Sequence, residues 1–199
     1  TDFLNVSAPS EICQQAGARI RVVADPLDDI HLQLVWDTPG DANQVDETGT
    51  DLDLHLLHPN GDNWFDPIYD CSYQNGSPDW GGRFQLTDDP SLDIDDRNGA
   101  GPENINLDNP EDTETIGGPY LVGVHYYRST LGNFGGGDYG HSTATVRIYL
   151  EGVLAHEGEG RLEATNDFWE VGGIVWTGDE KRFTAIDRVI EVQPWEDSQ

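Results

Sequence analysis

The chain has 199 residues, of which 38 are Asp or Glu and 10 are Lys or Arg, for a formal net charge of −28. A surface this negative repels the phosphates of nucleic acid and the headgroups of anionic membranes, which leaves cations and cationic surfaces as the favoured partners. No apolar run is long enough to cross a membrane, and the length suits one well-filled domain, so neither nucleic-acid binding nor membrane insertion is expected.

Residues 1–17 lack periodicity and read as an N-terminal arm. A single domain is expected over 18–192, followed by a tail at 193–199. Residues 18–24 alternate weakly, as a strand does. Residues 30–36 alternate clearly, with Ile30, Leu32, Leu34 and Trp36 on one face. Pro39, Gly40 and Gly49 break the acidic stretch 37–50 into a loop. In the next strand, DLDLHLLHPNG at 51–61, Leu52, Leu54 and Leu56 point to the core. Asp51, Asp53 and His55 share the opposite face, with alternate positions about 7 Å apart. The strand ends at the turn sequence His58-Pro59-Asn60-Gly61. Residues 63–73 are aromatic-rich, carry Cys71, and read as a short strand or a covering segment.

Residues 91–107, SLDIDDRNGAGPENINL, hold Asp93, Asp95, Asp96, Asn98 and Glu103 among Gly99, Gly101 and Pro102, so no regular helix or unbroken strand fits. Carboxylates this crowded repel one another unless a cation neutralises them, and hard oxygen donors around a bend are what Ca²⁺ prefers. The candidate ligands are Asp93, Asp95, Asn98 and Glu103, joined by Asp51 and Asp53 from the neighbouring strand. The loop departs from an EF-hand: Gly99 falls one position late, Arg97 stands where a ligand belongs, and no helices flank it. The competing reading is a hydrogen-bonded loop whose carboxylates are satisfied by Arg97 and backbone amides.

Further on, residues 120–128, YLVGVHYYR, form the clearest core strand, with Tyr120, Val122, Val124 and Tyr126 alternating against Leu121, Gly123, His125 and Tyr127. Residues 129–142 are a glycine-rich loop exposing Phe134 and Tyr139. Residues 143–150 and 153–156 flank Glu151-Gly152 as a hairpin, and 168–176 and 183–192 supply the last strands. Many short strands and no helix of ordinary length predict an all-β, mostly antiparallel β-sandwich of jelly-roll or Ig-like kind. Trp64, Trp80, Phe134 and Trp195 are read as exposed aromatics.

Cys13 and Cys71 are expected to form one disulfide, which in the chain-entropy model stabilises by roughly 4 kcal/mol and implies an oxidising compartment. His55, His125 and Asp53 make a weaker zinc candidate, with Glu103 as the general base of a metal-dependent hydrolase. No nucleophile elbow or phosphate loop is present, and no catalytic residue is assigned.

In the order and spacing of DLDLHLLHPNG, NGAGPENINL, YLVGVHYY and TATVRIYLEG the chain resembles the YfaP-like family, domains of unknown function in secreted and surface proteins of bacteria. The likeness spans about residues 32–176 and implies a β-sandwich, often one module of a larger exported protein. Taken together, these readings predict a secreted, non-enzymatic, calcium-stabilised interaction module of the cell surface or matrix, acting in adhesion to a protein or glycan. The alternative is a subunit that joins copies of itself into an extracellular filament or surface layer.

Overall fold

A computed structural model of the chain describes residues 27–44, 48–82, 85–97, 99–130 and 138–193. Two antiparallel five-stranded sheets face each other, which is the β-sandwich expected. The first sheet is built from β1 (Ile30–Asp37), β4 (Ser91–Leu92), β5 (Glu103–Leu107), β7 (Ser142–Leu150) and β8 (Val153–Leu162), in the order β4-β5-β1-β7-β8. The second contains β2 (Gly49–Leu57), β3 (Asp70–Cys71), β6 (Tyr120–Thr130), β9 (Asp167–Trp176) and β10 (Lys181–Glu191), in the order β10-β9-β6-β2-β3.

Period-two alternation decides what lies between the sheets. Ile30, Leu32, Leu34 and Trp36 from β1 meet Leu52, Leu54 and Leu56 from β2 and Tyr120, Val122, Val124 and Tyr126 from β6 in one buried cluster. The β7–β8 hairpin turns on Glu151 and Gly152, both at positive φ (50° and 76°), the backbone of a two-residue turn whose twist matches the strands it joins.

Two features of the second sheet prepare a site. All nine residues of β2 are buried, on both faces, because the turn-rich segment after β2 packs Trp64 and Phe65 over the side facing away from the core. In addition β3 pairs only with Leu56 and Leu57, so that among the described residues the upstream half of β2 has no strand on that flank. The segment between β4 and β5 fills the gap. It is held at its ends by Asp93 N–H to Asn104 O (2.9 Å) and Trp36 N–H to Ala100 O (3.0 Å).

The structure corrects several expectations. Trp80 is buried, stacked on Tyr120 with its indole N–H on the Ile68 carbonyl, because the long segment after β2 folds onto the sandwich. Cys71 is a buried thiol directed at the Gly76 carbonyl, and its expected disulfide partner, Cys13, falls outside the described residues. Tyr139 is half-buried, its hydroxyl within 2.9 Å of the Thr48 hydroxyl. The polar connector before β6 contains one helical turn, α1 (Thr113–Ile116), capped by Asp112. Cys13, the strand expected over 18–24, Asn98, Phe134 and Trp195 lie outside the described residues.

Candidate metal centre

β2 presents Asp51 and Asp53 on its outer face, two residues apart, and the β4–β5 segment brings Asp95 to them. One carboxylate oxygen from each lies within 4.8 Å of the others, the one such trio of His, Cys, Asp or Glu side chains among the described residues. Asp51 and Asp53 are only 1% and 2% exposed, whereas Asp95 is open to solvent. The trio is therefore a half-buried notch with one wall in water.

The hydrogen bonding of the notch is incomplete. Asp51 Oδ1 and Asp53 Oδ2 are buried and meet no donor among the described residues. Asp51 Oδ2 accepts an ion pair from Arg128 Nε at 3.2 Å, the residue opposite it on β6. Buried acceptors are almost always satisfied, so orphaned carboxylate oxygens that face like charges mark a place where a donor or a cation belongs. Burial, and after it the Asp53 charge, pushes Asp51 up to about 8. Burial pushes Asp53 up to about 7 against the pull of His55, with the Asp95 charge adding to the rise.

Glu103, at the start of β5, reaches across to the other sheet. Its Oε2 accepts the Leu54 N–H (2.8 Å) and its Oε1 accepts the Asp96 N–H (3.1 Å). One carboxylate thus satisfies the open flank of β2 and pins the acidic segment against it. Burial, then the Asp53 charge, holds Glu103 well above the ordinary carboxylate range. Asp93 is exposed and spent on the Asn106 amide (2.8 Å). Asp96 accepts the Gly101 N–H at 3.1 Å and closes the bend. Of the six residues singled out from the sequence, Asp51, Asp53 and Asp95 come together, Glu103 buttresses them, Asp93 points to a different neighbour, and Asn98 lies outside the described residues.

The histidines do not assemble with Asp53 into a second trio. His55 Nδ1 is engaged by Asp70 Oδ2 at 2.8 Å, and the same oxygen accepts the Phe65 N–H at 2.6 Å. His125 is completely buried beside Phe65 and Phe168, and burial holds its imidazole down to about 3, so it stays neutral. The nitrogen-rich site that zinc prefers is therefore not built; the trio offers oxygen alone.

Three carboxylates outweigh the one guanidinium beside them, so the notch favours a cation. Oxygen-only donors and an open water-facing side suit Ca²⁺, which takes six to eight oxygens in flexible geometry. Sequence reasoning did not find Arg128 or the buttressing role of Glu103. Both depend on strand register, and the register shifts by a bulge between Asp51 and Leu52. Comparison with family models, with curated proteins and with solved structures gives no match for this chain.

Proposed function

We propose that the chain is a calcium-stabilised, non-enzymatic interaction module of a bacterial cell surface or matrix, secreted and engaging a protein or glycan partner. The observation that carries the calcium reading is that Asp51 and Asp53 each keep a buried oxygen with no donor among the described residues, in a trio of carboxylates completed by Asp95. Asp51, Asp53 and Asp95 would hold the ion. Its chemistry there is charge neutralisation: it ties the β4–β5 segment to β2 and leaves the surrounding surface preorganised. The likeness to the YfaP-like modules and the strongly acidic surface support the exported setting. Metal analysis of natively purified protein, paired with melting curves in calcium and in chelator, tests the reading. One tightly held calcium per chain and a lower Tm after chelation support it; no metal and superimposable melts overturn it.

A second reading, a subunit of an extracellular filament, is favoured by one asymmetry. β3 and β4 close one side of the sandwich with two residues each, whereas β8 and β10 form long, largely exposed edges on the other. Long unpaired edges accept strands from other chains. Sedimentation of dilute protein separates the two: a monomer favours the module, an elongating series the filament.

A further inference from the structure

Among the described residues, the Arg128–Asp51 contact is the one ion pair that a permanently charged side chain makes to the trio. Its partners are unequal. Asp51 is fixed on a buried strand position, while Arg128 is 51% exposed, with its guanidinium over the Tyr127 ring. The register explains why they meet: Arg128 stands directly across from Asp51 on β6, immediately before the bulge. A guanidinium on Asp51 Oδ2 and a divalent ion on the donor-less Oδ1 would sit across one carboxylate and repel each other, so each weakens the other's hold on Asp51.

Given the calcium reading above, we infer that Arg128 is the ion's built-in competitor: it closes Asp51 in the ion-free protein and is displaced into solvent when the divalent ion binds. Arg128 therefore sets the affinity of the site. It stabilises the empty notch, so that the crowded carboxylates tolerate the absence of the ion, and it weakens binding by the same free energy. The coupling is reciprocal, so calcium loosens the Arg128–Asp51 contact by the factor by which Arg128 weakens calcium.

Calorimetric titration of calcium chloride into the ion-stripped full chain, at about pH 9 so that protons compete little, tests this with the wild type, Arg128→Gln and Arg128→Lys. Arg128→Gln is expected to bind calcium about tenfold more tightly, within the usual range of coupling between two sites. Arg128→Lys is expected to stay within about threefold of wild type, because the competing charge is kept. The stabilisation by calcium, read as the rise in Tm, should be larger in Arg128→Gln than in wild type. Equal affinity in wild type and Arg128→Gln, or weaker binding in Arg128→Gln, overturns the role of Arg128 while the calcium site itself stands. Absence of binding in all three proteins overturns the calcium reading and this role with it.

Discussion

Asp53 Oδ2 lies 3.5 Å from Nδ1 of His125 on the adjacent strand, within reach of an ion pair but beyond a hydrogen bond. The imidazole is completely buried and neutral, so it lends Asp53 no charge. The carboxylate thus lies between a neutral imidazole and other carboxylates. This is the tension that a cation would relieve.

Asp53→Asn removes one negative charge from the trio. In chelator, where like charges face one another, it should raise Tm by about 2–4 °C, the shift that roughly 1 kcal/mol produces in a domain of this size. In calcium the sign should reverse, because a ligand has been lost. A variant that lowers Tm equally under both conditions would show that Asp53 serves only the packing of β2.

The pH dependence follows from the raised carboxyls. The unfolded chain releases these protons near 3.8, whereas the ion-free folded chain keeps them until about 7 for Asp53 and about 8 for Asp51. Between those values the folded state binds more protons, so stability is fullest below the unfolded value and falls as pH rises through the folded ones. Calcium replaces the protons, so its affinity should climb over the same interval and binding should release protons. Denaturant midpoints from about pH 4 to 9, with chelator and with calcium, check this. A flat profile in chelator contradicts it.

Glu103→Ala strips the acceptor from both the Leu54 and the Asp96 amides. Leaving buried donors unpaired costs about 1–3 kcal/mol each, so urea denaturation should show a loss of roughly 2–4 kcal/mol, and calcium should only partly restore it. Full rescue by calcium would mean that the ion, not Glu103, fastens the segment.

Gly101 has φ of +80°, and a Cβ there would sit 2.8 Å from the Leu34 carbonyl oxygen. Gly101→Ala should therefore displace the bend that carries Asp95 and weaken calcium binding, besides costing about 1–3 kcal/mol in stability. Calcium titration alongside denaturation reports both. Unchanged affinity would separate the bend from the site.

Much of this architecture is legible in one dimension because its causes are local. The alternation of Ile30, Leu32, Leu34 and Trp36, and of Tyr120, Val122, Val124 and Tyr126, needs only the strand period to place those side chains inside. The turn at Glu151-Gly152 needs only its own backbone. The meeting of Asp51 and Asp53 with Asp95 is legible because the first two share a strand face and a crowded acidic bend calls for a countercharge.

What stayed hidden depends on contacts far apart in the chain. Glu103 reads as one more carboxylate until β5 is set beside the open flank of β2. Arg128 reads as a strand end until the register places it across from Asp51. Trp80 reads as exposed because its loop is polar, yet that loop folds back and buries the indole.

The most direct measurement is a high-resolution crystal structure of the protein grown in calcium and again in chelator. The account predicts a single strong peak in the calcium form, coordinated by Asp51, Asp53 and Asp95 at about 2.3–2.6 Å, with Arg128 turned away, and an Arg128–Asp51 contact in the chelator form. A calcium-form map with no peak among those three carboxylates, and Arg128 still seated on Asp51, would contradict it.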